Sequence, residues 1–132
     1  MKFEEFSPTD YRYAVEELRR YLSEEAFLRY KARVEAAIAE GFCRRGLLSE
    51  DLKREIEEAA LKVSPEEVYE EEKRTKHDIR ALVNVMKRKV SDDAKPFVHL
   101  CATSYDIVDT ANALRYKDAV EEVIIPDMKA LE

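Results

Sequence analysis

The sequence predicts an all-α fold, because its composition suits helices and its apolar residues recur at helical spacing. Only two of its 132 residues are glycine, while 39 % are charged. Glu, Lys, Arg, Leu and Ala are strong helix formers, and sheet-rich or loop-rich folds rarely contain so little glycine. A chain of this length can form one core of modest size without disulfides or metal.

Polar clusters predict where the first two helices begin. Residues 7–10 (Ser-Pro-Thr-Asp) form a turn or cap cluster that leads into a short helix. Ser23 is the predicted cap of a second helix, because acidic residues follow it at the positive end of the helix dipole. Either Gly41 or Gly46 can end that helix, since glycine adopts the left-handed conformation at low cost. Apolar residues recur between these points at helical spacing: Phe27, Tyr30, Val34, Ala37 and Ile38.

The middle of the chain carries the clearest boundary. Ser49 opens a short helix, and Ser64 then begins the next one, with Pro65 at the first helical position. Glu67 stands three residues after Ser64, as a capping box requires. We expect this helix to continue to about Val90.

A final long helix is predicted for the rest of the chain. Residues 91–96 break the helical pattern, and Thr103 with Ser104 marks the new start. Pro126 lies well inside this helix and should kink it or end it. Residues 123–125 (Val-Ile-Ile) form an apolar band that an isolated domain would struggle to cover.

Charge and cysteine usage argue against several functional classes. The net charge is −6, both signs are interleaved, and no long basic stripe points to a nucleic-acid partner. No segment resembles a membrane span or a signal peptide. Cys43 and Cys101 lack the spacing of a zinc site, and His99 beside Cys101 makes only a pair of ligands. We predict reduced thiols, a cytoplasmic location, and neither metal nor cofactor.

His77 is the first candidate site residue. A continuous helix would place it about 160° from the apolar stripe of that helix, at 100° per residue. Two interpretations stay open: a solvent-exposed histidine on a charged face, or a polar group facing a ligand or a neighbouring subunit. Lys76 and Asp78 flank it and fan out, so the three can line one wall of a cleft that other groups must complete. The stripe consists of Thr75, Ile79, Leu82, Val83, Met86 and Val90.

Two further segments are candidates for binding anions. Thr103 and Ser104 place hydroxyls at a helix start, where they either bind a phosphate or carboxylate or simply cap the helix. In residues 10–13 (Asp-Tyr-Arg-Tyr), Arg12 offers a planar fork for two oxygens, and Tyr13 offers a ring that can stack on a base. The same run could instead pack or snorkel at a surface.

Three segments, in this order, resemble the adenylosuccinate lyase family of the fumarase/aspartase superfamily. They are residues 10–13, residues 75–78 (Thr-Lys-His-Asp) and residues 99–111, whose Thr-Ser-x-Asp-x-x-Asp-Thr-Ala run is the most specific. Cys101 and Ala14 stand where that family commonly has glycine. The resemblance implies that residues 1–103 form the helical amino-terminal domain of the fumarase/aspartase-like fold. Residues 104–132 would then start a long helix of its central bundle.

That family eliminates fumarate from adenylosuccinate, giving AMP, and from succinyl-aminoimidazole-carboxamide ribotide (SAICAR), giving AICAR, in purine nucleotide biosynthesis. The resemblance implies substrate-binding roles for Arg12, Tyr13, Lys76, His77, Asp78, Thr103 and Ser104, with His77 also catalytic. It further implies a homotetramer whose sites combine several subunits.

The resemblance also implies what this chain lacks. In the family a serine on a mobile Gly-Ser-Ser loop is the base, and a histidine in a Thr-His segment is the acid. Neither segment occurs in this sequence, so we expect the chain alone to be inactive. The alternative is a non-catalytic helical interaction module with a lyase-like fold, which would bind a partner through the apolar band at residues 123–125.

Overall fold

The computed structural model describes residue 13 and residues 15–131. Within this part of the chain every regular element is a helix, which confirms the predicted all-α class. The cap cluster at residues 7–10 lies outside the described residues. The helices are α1 (Glu16–Leu22), α2 (Glu24–Arg44), α3 (Glu50–Leu61), α4 (Pro65–Thr75), α5 (Asp78–Lys87), α6 (Ser104–Ala119) and α7 (Ile125–Ala130), with a 3₁₀ turn (Lys95–Phe97) and a π-helical turn (Val120–Ile124).

Three serine caps begin helices where the sequence predicts them. Ser23, Ser49 and Ser64 each accept a hydrogen bond from the backbone N–H three residues later. Glu67 returns a hydrogen bond to the Ser64 backbone N–H and completes the capping box. These short-range contacts satisfy N–H groups that a helix start otherwise leaves without a partner.

The end of α2 is decided by Gly46 and not by Gly41. The helix continues through Gly41 and ends at Arg44. Gly46 follows with a φ of 71°, the left-handed conformation that glycine adopts without steric penalty.

The core forms where α5 packs among its neighbours. Helix α2 packs against α3 and α6, while α5 contacts α3, α4 and α6. Six residues of α5 are buried: Ile79, Ala81, Leu82, Val83, Val85 and Met86. Fully burying one large apolar side chain stabilises a fold by about 1.5–3 kcal/mol, so this short helix anchors the domain.

The predicted single helix from Ser64 to about Val90 is wrong. The chain breaks at Lys76, whose φ of 54° is left-handed, and at His77, whose φ of −155° is extended. Helix α5 then folds back against α4. Neither glycine nor proline stands at the break. Contacts between α4 and α5 maintain the break, and a straight helix could not make these contacts.

The predicted disturbance near Pro126 takes the form of a change in hydrogen bonding. Helix α6 ends at Ala119, and the π-helical turn carries the chain into α7, where Pro126 lies in the first turn. Proline has no N–H to give to the carbonyl four residues earlier, so a local change of register accommodates it.

The apolar band at residues 123–125 is only partly uncovered. Val123 is buried against Tyr21 and Ala119, because α1 packs on this part of the chain. Ile124 and Ile125 remain exposed by more than a third. The division into domains at residues 103 and 104 stays a prediction.

No helix in the described part of the chain is both long enough and apolar enough to cross a membrane.

Candidate functional site

A pocket of about 380 Å³ opens where the break between α4 and α5 faces the start of α6. It brings together two of the three segments that resemble the adenylosuccinate lyase family, residues 75–78 and 99–111. An arginine and two histidines line this pocket, and none of its lining residues carries a carboxylate. The pocket therefore suits an anion. The lining residues are Thr75, His77, Ile79, Arg80, Val83, His99 and Ser104.

His77 is the cap residue of α5 and has a defined ring orientation. Its Nδ1 atom accepts a hydrogen bond from the backbone N–H of Arg80 at 3.3 Å. Its Nε2 atom lies 3.3 Å from Oγ of Ser104. Because Nδ1 acts as the acceptor, the neutral ring carries its proton on Nε2 and donates it towards Ser104.

The position of His77 differs from the one that helical spacing predicts. That spacing predicts the polar face of a continuous helix, whereas His77 lies in the break between two helices. The side chain is nonetheless 49 % exposed and lines the pocket. The ring is therefore accessible because of its place at the helix start.

Of the three neighbours Lys76, His77 and Asp78, which were predicted to line one wall of a cleft, only His77 lines this pocket. Lys76 has a left-handed backbone and is exposed. Asp78 instead pairs with Lys31 of α2, whose Nζ atom donates to Asp78 Oδ2 at 2.8 Å. The side chain of Lys31 is only 8 % exposed, and its Nζ atom lies 4.1 Å from the centre of the Phe27 ring.

The Lys31 pair determines the charge of Asp78. Burial acts to raise the pKa of Asp78, but the hydrogen bond from Lys31 and further favourable contacts outweigh it, so the pKa lies below its ordinary value. Asp78 is therefore an anion, and its ion pair with Lys31 connects the break between α4 and α5 to α2. Its other oxygen, Oδ1, lies 3.6 Å from Nδ1 of His77.

Thr103 and Ser104 have separate roles. The Thr103 backbone N–H and hydroxyl both donate to Asp106 Oδ2, at 2.7 and 3.0 Å, so Thr103 serves the cap of α6. The backbone hydrogen bond, followed by the hydroxyl, lowers the pKa of Asp106. The Ser104 side chain lines the pocket beside His77.

The predicted segment at residues 10–13 is described only in part. Arg12 and Ala14 lie outside the described residues. Tyr13 is 73 % exposed and is not among the residues that line the pocket.

His99 lines the pocket, although its spacing from Cys101 indicates only an incomplete pair of zinc ligands. Its Nδ1 atom lies 2.6 Å from Oε1 of Glu35, which is buried on α2. A sequence signal for it exists: the chain contains only two histidines, and both lie in segments that carry the family resemblance. No group of three or more metal-ligating side chains is found in the described part of the chain.

Left-handed backbone flanks the pocket. Among the described residues, three that are not glycine have a positive φ: Lys76 at 54°, His99 at 65° and Cys101 at 58°. Such a conformation costs an ordinary residue about 1–2 kcal/mol, because Cβ approaches the following carbonyl oxygen. The value at Cys101 gives a physical reason for glycine to be common at this position in the resembling family.

Several known proteins with similar sequences carry the same name. The chain is 40 % identical over 114 residues to the adenylosuccinate lyase of Archaeoglobus fulgidus, a match that covers 86 % of this chain. It is 41 % identical over 126 residues to that of Pyrococcus abyssi, covering 94 % of this chain. By sequence, the chain belongs to the adenylosuccinate lyase family.

The chain spans about a quarter of the length of these adenylosuccinate lyases, 25 % and 28 % respectively. A solved structure with a similar fold is the crystal structure of fumarate lyase from Mesorhizobium sp., with a TM-score of 0.70 and 27 % identity. That match covers 83 % of this chain and 26 % of the other. No family model matches the chain.

Proposed function

We propose that this chain supplies part of the substrate-binding site of an adenylosuccinate lyase. The complete enzyme eliminates fumarate from adenylosuccinate, giving AMP, and from SAICAR, giving AICAR, in purine nucleotide biosynthesis. The observation that carries the proposal is the 3.3 Å approach of His77 Nε2 to Ser104 Oγ inside one pocket. Two segments that resemble the family thereby present polar groups at one place.

The reaction explains why such groups are needed. A base removes a proton from the carbon beside a carboxylate, and the carboxylate gains charge that preorganised donors stabilise. An acid then protonates the nitrogen as the C–N bond breaks. In this proposal Ser104 binds a carboxylate or phosphate oxygen, while His77 is catalytic, donates through Nε2–H and contacts the reacting part of the substrate.

The remaining predicted residues have supporting roles in the proposal. Thr103 shapes the start of α6 through Asp106, and Asp78 maintains the break through Lys31. By resemblance to the family, Arg12, Tyr13 and Lys76 are assigned to the binding of the nucleotide.

Other parts of the protein must complete this site. The base and the acid of the family lie in Gly-Ser-Ser and Thr-His segments, which this sequence does not contain. We propose that a homotetramer in the cytoplasm assembles the site from several subunits, and that this chain alone does not release fumarate.

A complementation experiment tests the proposal. The chain is mixed with the part of the Archaeoglobus fulgidus adenylosuccinate lyase that lies beyond the region matching this chain. Fumarate release from adenylosuccinate is then measured. We expect no release by the chain alone and measurable release by the mixture. His77→Asn, which can still cap α5, should reduce the rate of the mixture by roughly 10²-fold or more.

The matched control is Lys73→Ala, which replaces an exposed residue one turn before the break. It should leave the rate of the mixture unchanged. Fumarate release by the chain alone, or full activity of the His77→Asn mixture, would contradict the proposal.

A second candidate is a helical interaction module without catalysis. The apolar side chains exposed at the end of the described chain favour it, namely Ile124, Ile125, Met128 and Leu131. Under this alternative the mixture stays inactive, and the chain binds a protein partner in a way that Ile125→Glu abolishes.

A further inference from the structure

Glu35 is a buried carboxylate whose position calls for a functional explanation. Its side chain is 0 % exposed, and it projects from the middle of α2 into the protein interior. One oxygen, Oε1, lies 2.6 Å from Nδ1 of His99, while the other, Oε2, has no hydrogen-bond partner among the described residues. A buried polar atom without a partner destabilises a fold, because it has lost its hydrogen bonds to water. An apolar residue would serve the core better here.

The Glu35 contact fixes the direction of the His99 ring. Because Nδ1 faces the interior, Nε2 is the ring nitrogen left for the pocket that His99 shares with His77 and Ser104. The ring is only 22 % exposed. Its backbone is left-handed, so both the backbone and the buried carboxylate constrain this residue.

Burial and the neighbouring charges act on Glu35 in opposite directions. Burial raises the pKa of Glu35, while the His99 ring and then Lys87 oppose the rise. When the carboxylate is ionised, a neutral ring keeps its proton on Nδ1 to donate to Glu35. The two pocket histidines then differ: His77 carries its proton on Nε2, and His99 carries its proton on Nδ1.

We propose that Glu35 is a positioning residue, which holds His99 with a proton on Nδ1 and presents Nε2 to the substrate in the pocket. When the ring is protonated, Nε2–H donates to an anionic oxygen, and the Glu35 carboxylate balances the charge from the interior. For the identity of the substrate this inference rests on the proposed function. The Glu35–His99 arrangement itself does not depend on that function.

Nitrogen-15 NMR of the histidine rings tests the arrangement directly. The chain contains only two histidines, so His77→Asn assigns the His99 signals. At a pH where the ring is neutral, we expect wild-type His99 to carry its proton on Nδ1. A proton on Nε2 in the wild type would overturn the proposal, because Glu35 would then be the protonated partner that donates to the ring.

Two substitutions separate the hydrogen bond from the rest of the site. Glu35→Gln keeps an oxygen acceptor of the same shape and should retain the Nδ1–H form. Glu35→Leu removes the acceptor but fills the space, and should shift His99 towards the Nε2–H form. An unchanged His99 tautomer in Glu35→Leu would show that the backbone alone sets the ring, which contradicts the proposal.

Glu25→Gln is the matched control, since Glu25 lies on the same helix with an exposed side chain. It should leave both histidine spectra unchanged, and circular dichroism checks the fold of each variant. The wild-type measurement does not depend on Glu35→Leu, so it tests the proposal even if that variant fails to fold. The NMR result is also independent of lyase activity: a proton on Nδ1 with an inactive complemented mixture would reject only the proposed function.

Discussion

The imidazole of His77 and the hydroxyl of Ser104 lie 3.3 Å apart across the pocket, although 27 residues separate them in the sequence. The same imidazole caps α5 through its other nitrogen. One side chain therefore has a structural contact and a contact inside the candidate site, and substitutions can separate the two.

His77→Asn should retain the cap of α5, whereas His77→Ala should lose it. Asparagine is a favoured cap residue, and loss of a cap typically costs about 1 kcal/mol. We expect the free energy of unfolding to fall by about 1 kcal/mol for His77→Ala and by less than half of that for His77→Asn. Urea denaturation followed by circular dichroism measures both values. Equal stability of the two variants would show that the Nδ1 contact with Arg80 contributes nothing.

Lys31 and Asp78 should be energetically coupled. Their hydrogen bond joins α2 to the break, and Lys31 is almost completely buried. A double-mutant cycle with Lys31→Met and Asp78→Asn should give a coupling of about 1–2 kcal/mol in the free energy of unfolding. The exposed pair Lys62 and Glu58 on α3 provides the comparison, with an expected coupling near zero.

Glu71 should make the protein sensitive to acid. It accepts hydrogen bonds from Arg74, Asn84 and Arg88, which lower its pKa from 4.5 to about 2. A carboxylate whose pKa is depressed in the folded state stabilises the fold above its unfolded pKa. That contribution should be lost as the pH falls from about 4.5 towards 2.

Thermal unfolding of the wild type and of Glu71→Gln, measured at a series of pH values, tests this prediction. In Glu71→Gln we expect a shallower decrease of the melting temperature across this pH range than in the wild type. The exposed neighbour Glu70, replaced by Gln, should leave the slope as it is. Identical slopes for the wild type and Glu71→Gln would refute this assignment of the acid sensitivity.

Cys101→Gly should stabilise the protein. The φ of 58° at Cys101 is strained for any residue with a Cβ atom, and glycine relieves the strain while adding entropy to the unfolded chain. We expect a net gain of about 0.5–1 kcal/mol in the free energy of unfolding, measured by chemical denaturation. Cys101→Ser keeps the strain but removes the thiol, so it should have the stability of the wild type; a loss of stability in Cys101→Gly would count against backbone strain.

Much of this architecture was accessible from the sequence because it depends on neighbours within one helical turn. The caps at Ser23, Ser49 and Ser64 each use a partner three residues away, and such spacing is visible in the amino-acid order. The all-α class follows from composition and from the 3.6-residue period of apolar side chains. Similarity of short motifs gave the family, which the comparisons then confirmed.

The site itself was predicted less completely. His77 and Ser104 were named, but the helix break that joins them was missed, because neither glycine nor proline stands at Lys76 or His77. That break is maintained by contacts such as Asn84 with Glu71, which exist only once α5 has folded back on α4.

By itself, the sequence determined where α2, α3, α4 and α6 begin, which fold class the helices form and which family the chain resembles. Only the tertiary structure decided that one predicted helix is two, that Asp78 pairs with Lys31, and that His99 has a buried carboxylate behind it. The physical reason is distance along the chain: Lys31 and Asp78 are 47 residues apart, and Glu35 and His99 are 64 apart. Local periodicity carries no information about pairs that meet only when separate helices pack.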